Sequence, residues 1–220
     1  MSINHHPNDE FLLDYSSGGL GEAWELAVAT HLALCPKCRH TVAQMESIGG
    51  SLLDTLEPTA FSTASFDKVM ERLDNTPVDV PPTVDATPAQ ISGSGLPQPL
   101  RRYAENAEGR IEWQRLGMGA SQLLIPTDDE GVTARLLRIP AGRPVPEHSH
   151  RGVELTLVLS GAYTDTTGLY GCGDFQEADA ALEHQPHATA GEDCICLAIT
   201  DAPLRFKSLA ARTVQPFLGI

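Results

Sequence analysis

Basic residues, aromatic residues and long apolar runs are all scarce in this sequence. Its 220 residues include 15 Lys or Arg against 29 Asp or Glu, which gives a formal net charge of −14. Because a nucleic-acid backbone is held by clustered basic side chains, we expect no direct contact with nucleic acid, and the acidity favours a basic protein partner. Phe, Trp and Tyr make up only 5% of the chain, so Leu, Val, Ala and Ile must supply most of a hydrophobic core.

Neither a membrane span nor an export signal is evident. No apolar run approaches the roughly 20 residues that cross a bilayer as a helix. The N-terminus, MSINHHPNDE, has neither the basic start nor the apolar stretch of a signal peptide. The sequence therefore predicts a cytoplasmic protein without membrane contact. Five cysteines, an odd number that includes a Cys-x-x-Cys pair, indicate metal or redox chemistry rather than a secreted disulfide framework.

Residues 142–161, GRPVPEHSHRGVELTLVLSG, hold the strongest chemical signal in the chain. His148 and His150 are two apart, so on an extended strand their imidazoles leave the same face, and Glu154 stays in phase with them. Two neutral imidazoles and a carboxylate on one face suit Zn²⁺, Fe²⁺, Mn²⁺ or Ni²⁺. Glycine at both ends of the stretch suits the tight corners of a small barrel. The alternative is a pair of surface histidines beside a turn.

This stretch resembles the first motif of the cupin family, in which glycine, five residues, His-x-His, three or four residues, Glu, six residues and glycine follow in order. The resemblance implies a β-barrel whose metal is bound by His148, His150, Glu154 and a histidine from a second motif. Residues 173–184, GDFQEADAALEH, have the spacing of that second motif. His184 is therefore the predicted fourth ligand. His187 is the alternative ligand. The sequence departs from the motif at three positions where the motif has proline, glycine and asparagine: Asp179, Ala181 and Ala188.

The N-terminal region reads as three helices. Asn8 or Asp9 can cap the first helix, which ends before Gly18. Apolar residues at helical spacing predict a second helix over residues 21–34. Pro36 cannot continue that helix but suits the first position of a third, which we expect to run to about residue 56.

His31, Cys35 and Cys38 form the pattern H-x3-C-x2-C at the break between the second and third helices. One helical turn separates His31 from Cys35, and the break turns Cys38 back towards both. Two thiolates and an imidazole leave a tetrahedral zinc ion one ligand short. The candidates for the fourth ligand are His5, His6 and His40. We favour His6, which is nearest the first helix and would staple it to the other two. The alternatives are a pair of ordinary core cysteines and a redox Cys-x-x-Cys, although the βαβ context of thioredoxin-like motifs is absent.

An early histidine followed by H-x3-C-x2-C resembles the signature of zinc-binding anti-sigma domains. Such a domain followed by a cupin resembles the ChrR family of anti-sigma factors, and the likeness runs through almost the whole chain: HHP, SGGL, ATHLALCPKC, HSHRGVELTLVLSGAY, DCICLA and TDAPLRF. The resemblance implies a cytoplasmic, non-enzymatic regulator of transcription. Its zinc domain would bind and inhibit an extracytoplasmic-function sigma factor, and its cupin would respond to singlet oxygen or organic peroxides.

Two alternatives concern the cupin half. Histidines and a glutamate on a cupin also describe a metal-dependent dioxygenase, here with a zinc-stapled helical appendage, because open metal positions can bind substrate and oxygen. A third reading makes the cupin metal, zinc or another divalent transition metal, purely structural. Neither a general base behind the metal ligands nor a cluster that would recognise a substrate can be identified from the sequence.

A fourth amphipathic helix is predicted over residues 62–74, with Phe66, Val69, Met70 and Leu73 at helical spacing. This apolar stripe is covered either by its own domain or by a partner, and periodicity alone does not distinguish the two. In anti-sigma domains the fourth helix helps to grip the sigma factor. The resemblance therefore implies a partner-binding role for the four residues.

Changes in amino-acid composition along the chain predict its division into two domains and a linker. Residues 75–99 carry six prolines, which predicts an extended linker, and from about residue 110 short apolar runs alternate with turn residues, as in an all-β barrel. We predict an all-α four-helix zinc domain over residues 1–75, a Pro-rich linker over residues 76–100 and an all-β cupin barrel over residues 101–220. Cys194 and Cys196 are expected in the barrel core and Cys172, in a glycine-rich turn, at the surface.

Overall fold

A computed structural model describes residues 2–76, 95–117 and 119–207 of the protein. Five helices occur in these ranges: α1 (Asp9–Ser17), α2 (Glu22–Leu34), α3 (Pro36–Leu53), α4 (Thr63–Asn75) and α5 (Gln98–Ala104). The strands follow: β1 (Gln114–Gly117), β2 (Ala120–Ile125), β3 (Thr133–Ile139), β4 (His148–Ser149), β5 (Glu154–Ser160), β6 (Ala162–Thr164), β7 (Leu169–Gly171), β8 (Phe175–Ala178), β9 (Glu183–His184), β10 (His187–Ala188), β11 (Cys194–Thr200) and β12 (Arg205–Phe206).

The ends of the first three helices follow from local sequence. The Asn8 side chain accepts a hydrogen bond from the Phe11 amide and caps α1, and Gly18 closes that helix with φ of 71°, a left-handed conformation that glycine adopts without strain. Cys35 has an extended conformation between α2 and α3, and Pro36 opens α3, as predicted. α3 ends at Leu53, slightly earlier than expected.

The described strands form three antiparallel sheets and do not close into the predicted barrel. One sheet has the order β1-β2-β3-β11-β5-β8, and two smaller sheets have the orders β10-β6-β7 and β12-β4-β9. Glycines with positive φ in the loops, including Gly142 and Gly161, turn the chain from the large sheet into the smaller sheets. Strands as short as β4 and β9 then pair with each other instead of extending the large sheet.

α2 packs on the large sheet and shares its core. Ala23, Leu26 and Ala27 of α2 belong to one buried cluster with apolar residues of the sheet, and α5 joins the same cluster. The sheet residues of this cluster include Leu155 and Leu157 of β5. The opposite face of β5 carries Glu154 and Thr156, because side chains alternate along a strand. We call α1–α3 the helical part and β1–β12 the cupin part. The two parts are therefore joined by a common hydrophobic core.

The loop between β2 and β3 caps α2 from outside the helix. Gly21, the residue before α2, provides no side-chain cap, and the Asp129 carboxylate accepts hydrogen bonds from the amides of Glu22 (3.1 Å) and Ala23 (2.7 Å). A Cβ at position 21 would lie 2.6 Å from the Asp129 carboxylate, so the close approach requires glycine. The cupin part thus satisfies the free amides of the helix.

α4 differs from the other long helices because none of its described side chains is buried. Of the two alternatives for the predicted fourth helix, the structure shows no cover from its own domain within the described residues: α1, α2 and α3 pack together, whereas α4 presents Phe66 and Leu73 to solvent with exposures of 71% and 63%. An additional helix, α5, begins within the predicted linker. Within that linker, residues 77–94 lie outside the described residues.

The cysteines are free thiols, and two of the three cupin cysteines lie where predicted. Cys194 and Cys196 are buried in β11. Cys172 is half-buried rather than exposed, because its thiol donates a hydrogen bond to the Leu159 carbonyl, with 3.1 Å between sulfur and oxygen. Among the helices of the described ranges, none combines the length and apolarity of a membrane span.

Candidate metal centres

The helical site consists of His6, His31, Cys35 and Cys38, whose ligand atoms all lie within 4.8 Å of one another. His6 Nδ1 is 3.4 Å from Cys38 Sγ and 3.5 Å from Cys35 Sγ, and His31 Nε2 is 3.4 Å from Cys38 Sγ. Zinc–nitrogen and zinc–sulfur bonds at a tetrahedral angle separate the two ligand atoms by about 3.6 Å. The four side chains could therefore hold a tetrahedrally coordinated metal ion.

Three pieces of local structure bring these ligands together. His31 lies in the last turn of α2, Cys35 at the break, and Cys38 in the first turn of α3, where its amide donates to Cys35 Sγ at 3.5 Å. His6 comes from the segment before α1. Of the other candidate histidines, His5 packs against Tyr170 with ring centroids 4.4 Å apart and the rings tilted by 37°, and His40 is exposed.

Burial controls the protonation of the helical site. It lowers the pKa of His31 to about 4, so this imidazole is neutral near pH 7, which is the form that binds a metal. Burial and the neighbouring Cys35 raise the pKa of the Cys38 thiol to about 12. A metal ion that binds here must therefore displace a tightly held thiol proton.

The cupin site consists of His148, His150, Glu154 and His184, also within 4.8 Å of one another. His184 Nε2 lies 3.1 Å from His148 Nε2 and 3.2 Å from His150 Nε2. The pairing of β4 with β9 places His148 directly opposite His184. Metal–nitrogen bonds of about 2.1 Å at right angles separate two nitrogens by about 3 Å, so this donor set fits a transition-metal ion.

Hydrogen bonds orient two of these histidines with Nε2 towards the centre of the site. His148 Nδ1 donates to the Pro146 carbonyl at 2.8 Å, and His184 Nδ1 donates to Asp165 Oδ2 at 2.7 Å. Burial alone would raise the pKa of Asp165, but hydrogen bonds from Gln176, Thr167 and His184 outweigh it and lower the pKa to about 2. Asp165 therefore stays ionised, and its hydrogen bond fixes the tautomer and orientation of the His184 ring.

Burial is the largest influence on the pKa values of three ionisable groups of the cupin site and, for Glu154, outweighs the opposing effect of the Arg135 charge. Burial lowers the pKa of His148 and of His150 to about 4 and raises the pKa of Glu154 to about 7. His150 Nδ1 is buried and lacks a hydrogen-bond partner within the described residues. A divalent cation would restore the ionised form of Glu154, which is a physical reason for the site to take one.

A cavity of about 70 Å³ adjoins the cupin site. Its wall is mostly apolar and includes the side chains of Tyr163, Cys194 and Cys196 beside His148 and Glu154. His187, the alternative ligand, is exposed and its Nε2 contacts the Gln185 amide oxygen at 3.4 Å instead. The sequence reasoning missed Asp165 and Gln176, which support the ligands, because neither belongs to a ligand motif.

Comparison with known proteins identifies the family to which this chain belongs. The family model described as the ChrR cupin-like domain matches residues 106–202. The anti-sigma-E factor ChrR of Cereibacter sphaeroides is 46% identical over 220 residues, which is 100% of both chains. The chain belongs to the ChrR family of anti-sigma factors. Membership in a family of transcription regulators agrees with the predicted regulator and disfavours the dioxygenase alternative.

A solved structure of this family has the same overall fold. The crystal structure of Rhodobacter sphaeroides SigE in complex with the anti-sigma ChrR matches with a TM-score of 0.75 and 43% identity. The match covers 90% of this chain and 99% of that chain. The ChrR-family resemblance inferred from the sequence is thus confirmed along nearly the full length.

Proposed function

We propose that this ChrR-family protein binds an extracytoplasmic-function sigma factor in the cytoplasm and inhibits transcription from its promoters. Support comes from the full-length relative, named an anti-sigma-E factor, and from the related structure, which is a complex with SigE. The sigma factor itself contacts DNA, so the acidic anti-sigma chain has no need to bind nucleic acid. Its net charge of −14 suits a basic protein surface instead.

The exposed apolar face of α4 is the observation that carries the proposal. Phe66, Val69, Met70 and Leu73 have exposures of 71%, 55%, 41% and 63%. Apolar residues grouped on one face of an exposed helix mark an interaction surface, because their exposure to water costs free energy until a partner covers them. We assign this face to the sigma factor.

Zinc bound by His6, His31, Cys35 and Cys38 would stabilise the helical part, because metal binding contributes folding free energy in small sites. The cupin site would bind zinc or another divalent transition metal through His148, His150, Glu154 and His184. The functional division into residues 1–75, 76–100 and 101–220 is part of this proposal. Residues 1–75 inhibit the partner, and residues 101–220 respond to the signal.

The proposed signal is oxidative, in the form of singlet oxygen or organic peroxides. The apolar cavity beside the cupin site supports this assignment, since it is lined by the oxidisable side chains of Cys194, Cys196 and Tyr163. A His148→Ala/Glu154→Ala double variant is then expected to keep repression and lose induction. Loss of repression itself would contradict this division of labour.

The test is co-purification from the native cytoplasm with the tagged full-length chain. We expect one sigma factor to co-purify, to be released by a zinc chelator, and to be absent with Cys38→Ser. His40→Ala is the matched control, because this exposed histidine lies two residues from Cys38 and outside the ligand cluster. Absence of any sigma factor from the wild-type sample would refute the proposed function.

A further inference from the structure

The segment that contains His6 is held in place by the cupin part. Asp174 Oδ1 accepts hydrogen bonds from the amides of Asn4 (2.7 Å) and His5 (2.9 Å). The Phe175 amide donates to the His5 carbonyl at 3.1 Å. Hydrogen bonds to both the amide and the carbonyl of His5 fix the position of the backbone next to His6. The residues that make these bonds, Asp174 and Phe175, do not belong to the helical site.

The neighbouring residue, Gly173, positions a second ligand of the helical site. His31 Nδ1 donates to the Gly173 carbonyl at 2.9 Å, which leaves His31 Nε2 facing Cys38. Gly173 has φ of 90°, and a Cβ there would lie 2.5 Å from Ile3 Cδ1. Two of the four proposed zinc ligands thus depend on residues 173–175 of the cupin part.

The same segment continues into the support of the cupin site. Gln176 is buried, its amide nitrogen donates to Asp165 Oδ2 at 2.8 Å, and its amide oxygen accepts from the Tyr163 hydroxyl at 2.7 Å. The same Asp165 oxygen accepts from His184 Nδ1 at 2.7 Å. One hydrogen-bonded chain therefore leads from His184 through Asp165 to Gln176, three residues from the carbonyl that holds His31.

We propose that residues 173–176 form a bridge that couples the two metal centres, so that metal in the cupin site slows metal loss from the helical site. The inference rests on the proposed function, because it assumes metal at both centres. Gly173, Asp174 and Gln176 are positioning residues in this scheme. Coupling free energies between linked sites correspond to affinity changes of about 5- to 150-fold.

The direction of the coupling follows from the facing imidazoles. His148 and His184 use their Nδ1 protons for hydrogen bonds to Pro146 and Asp165, so their Nε2 lone pairs face each other across 3.1 Å. Without a cation these two lone pairs repel one another, which favours rotation of the His184 ring. Rotation of the His184 ring breaks its hydrogen bond to Asp165 and loosens the hold of Asp165 on Gln176. A metal ion in the cupin site keeps these rings, and with them residues 173–176, in one arrangement.

Cobalt(II) is the probe for the test, because thiolate-to-cobalt absorption reports the helical site alone: neither thiolate belongs to the cupin site. The full-length chain is loaded with cobalt and mixed with a chelator, and the decay of this absorption gives the rate of metal loss. We expect His148→Ala, which empties the cupin site, to speed the decay about tenfold. In a Gln176→Met background, His148→Ala should have no further effect.

Asp174→Asn provides an independent variant at the other end of the bridge. It should speed cobalt loss from the helical site while the cupin keeps its metal equivalent, because its new amide group opposes the Gly171 amide that now donates to Asp174 at 2.8 Å. Asp179→Asn is the matched control and should leave the rate unchanged. Equal decay rates in wild type and His148→Ala, or the same acceleration with and without Gln176→Met, would overturn the bridge.

Failure of the bridge can be told apart from failure of the metal centres. If the cobalt-loaded wild type shows no thiolate absorption, the proposed helical site is wrong, and the bridge falls with it. If metal analysis shows that His148→Ala loses no equivalent, the proposed cupin site is wrong, with the same consequence. If both controls succeed and the decay rates are equal, only the bridge is refuted.

Discussion

α2 and α4 have the same length of 13 residues but opposite surroundings. Seven residues of α2 are buried, including Leu26, Thr30 and His31, whereas no side chain described in α4 is buried. α2 packs on the sheet, is capped by Asp129 and bonds to the cupin part through His31. The comparison teaches that one helix is committed to its own chain, while the other leaves its apolar face exposed, the face that the proposed function assigns to a sigma factor.

The largest effect is expected from truncation in α2. Leu26 is 5% exposed within the core that α2 shares with the sheet, so Leu26→Ala should lower the free energy of unfolding by about 2–5 kcal/mol. Because α2 and the sheet share this core, the urea unfolding transitions followed by spectroscopic probes of helix and of sheet should shift together. The matched control is Leu13→Ala, at a position that is 53% exposed, with an expected change below about 0.5 kcal/mol. Separate unfolding of the two parts would contradict the shared core.

A charge in the apolar face of α4 should weaken binding of the sigma factor and leave the stability of the free protein largely unchanged. Val69→Asp places a charge in the exposed apolar face and should weaken binding of the purified sigma factor by about tenfold or more, because the charge loses its water in the complex. Lys68→Gln changes the net charge by the same amount on the neighbouring polar side. Titration calorimetry should show a weaker complex for Val69→Asp only. A large loss of melting temperature in free Val69→Asp would show that α4 is covered by its own chain.

Removal of the external cap should have an intermediate effect. Asp129→Ala deprives the amides of Glu22 and Ala23 of their acceptor and should cost about 1 kcal/mol of stability in urea denaturation. The exposed Asp128 gives a control of equal charge, since Asp128→Ala leaves both amides capped. Equal stability of the two variants would rule out a stabilising role for the cap.

The smallest effect concerns two glycines with opposite roles. Gly49 lies inside α3 with open space around its Cα, so Gly49→Ala should stabilise the protein by about 0.5–1 kcal/mol at most. Gly18→Ala should destabilise by a similar amount, because position 18 has φ of 71°. Thermal unfolding of both variants should shift the melting temperature in opposite directions. A shift in the same direction would contradict the assigned helix ends.

Short-range patterns predicted much of the fold and both ligand clusters. The spacing of His148, His150 and Glu154, and the break at Pro36, depend on neighbours in the chain, which a sequence displays directly. The exposure of α4 could not be derived, because a stripe looks the same whether it is covered or not. The supporting bonds were also missed, since His31 and Gly173 are separated by 142 positions and a backbone carbonyl leaves no trace in the choice of residue.

The hydrogen bond from Asn4 to Asp174 joins residues that are made far apart in time during translation. The acceptor follows the donor by 170 residues, so the ribosome releases His6 long before the carboxylate that secures its segment. Helices form from local contacts and can appear early, whereas these distant bonds must wait for the last third of the chain. A nascent chain therefore exposes the thiols and imidazoles of the helical site before it contains the residues that hold His6 and His31 in place.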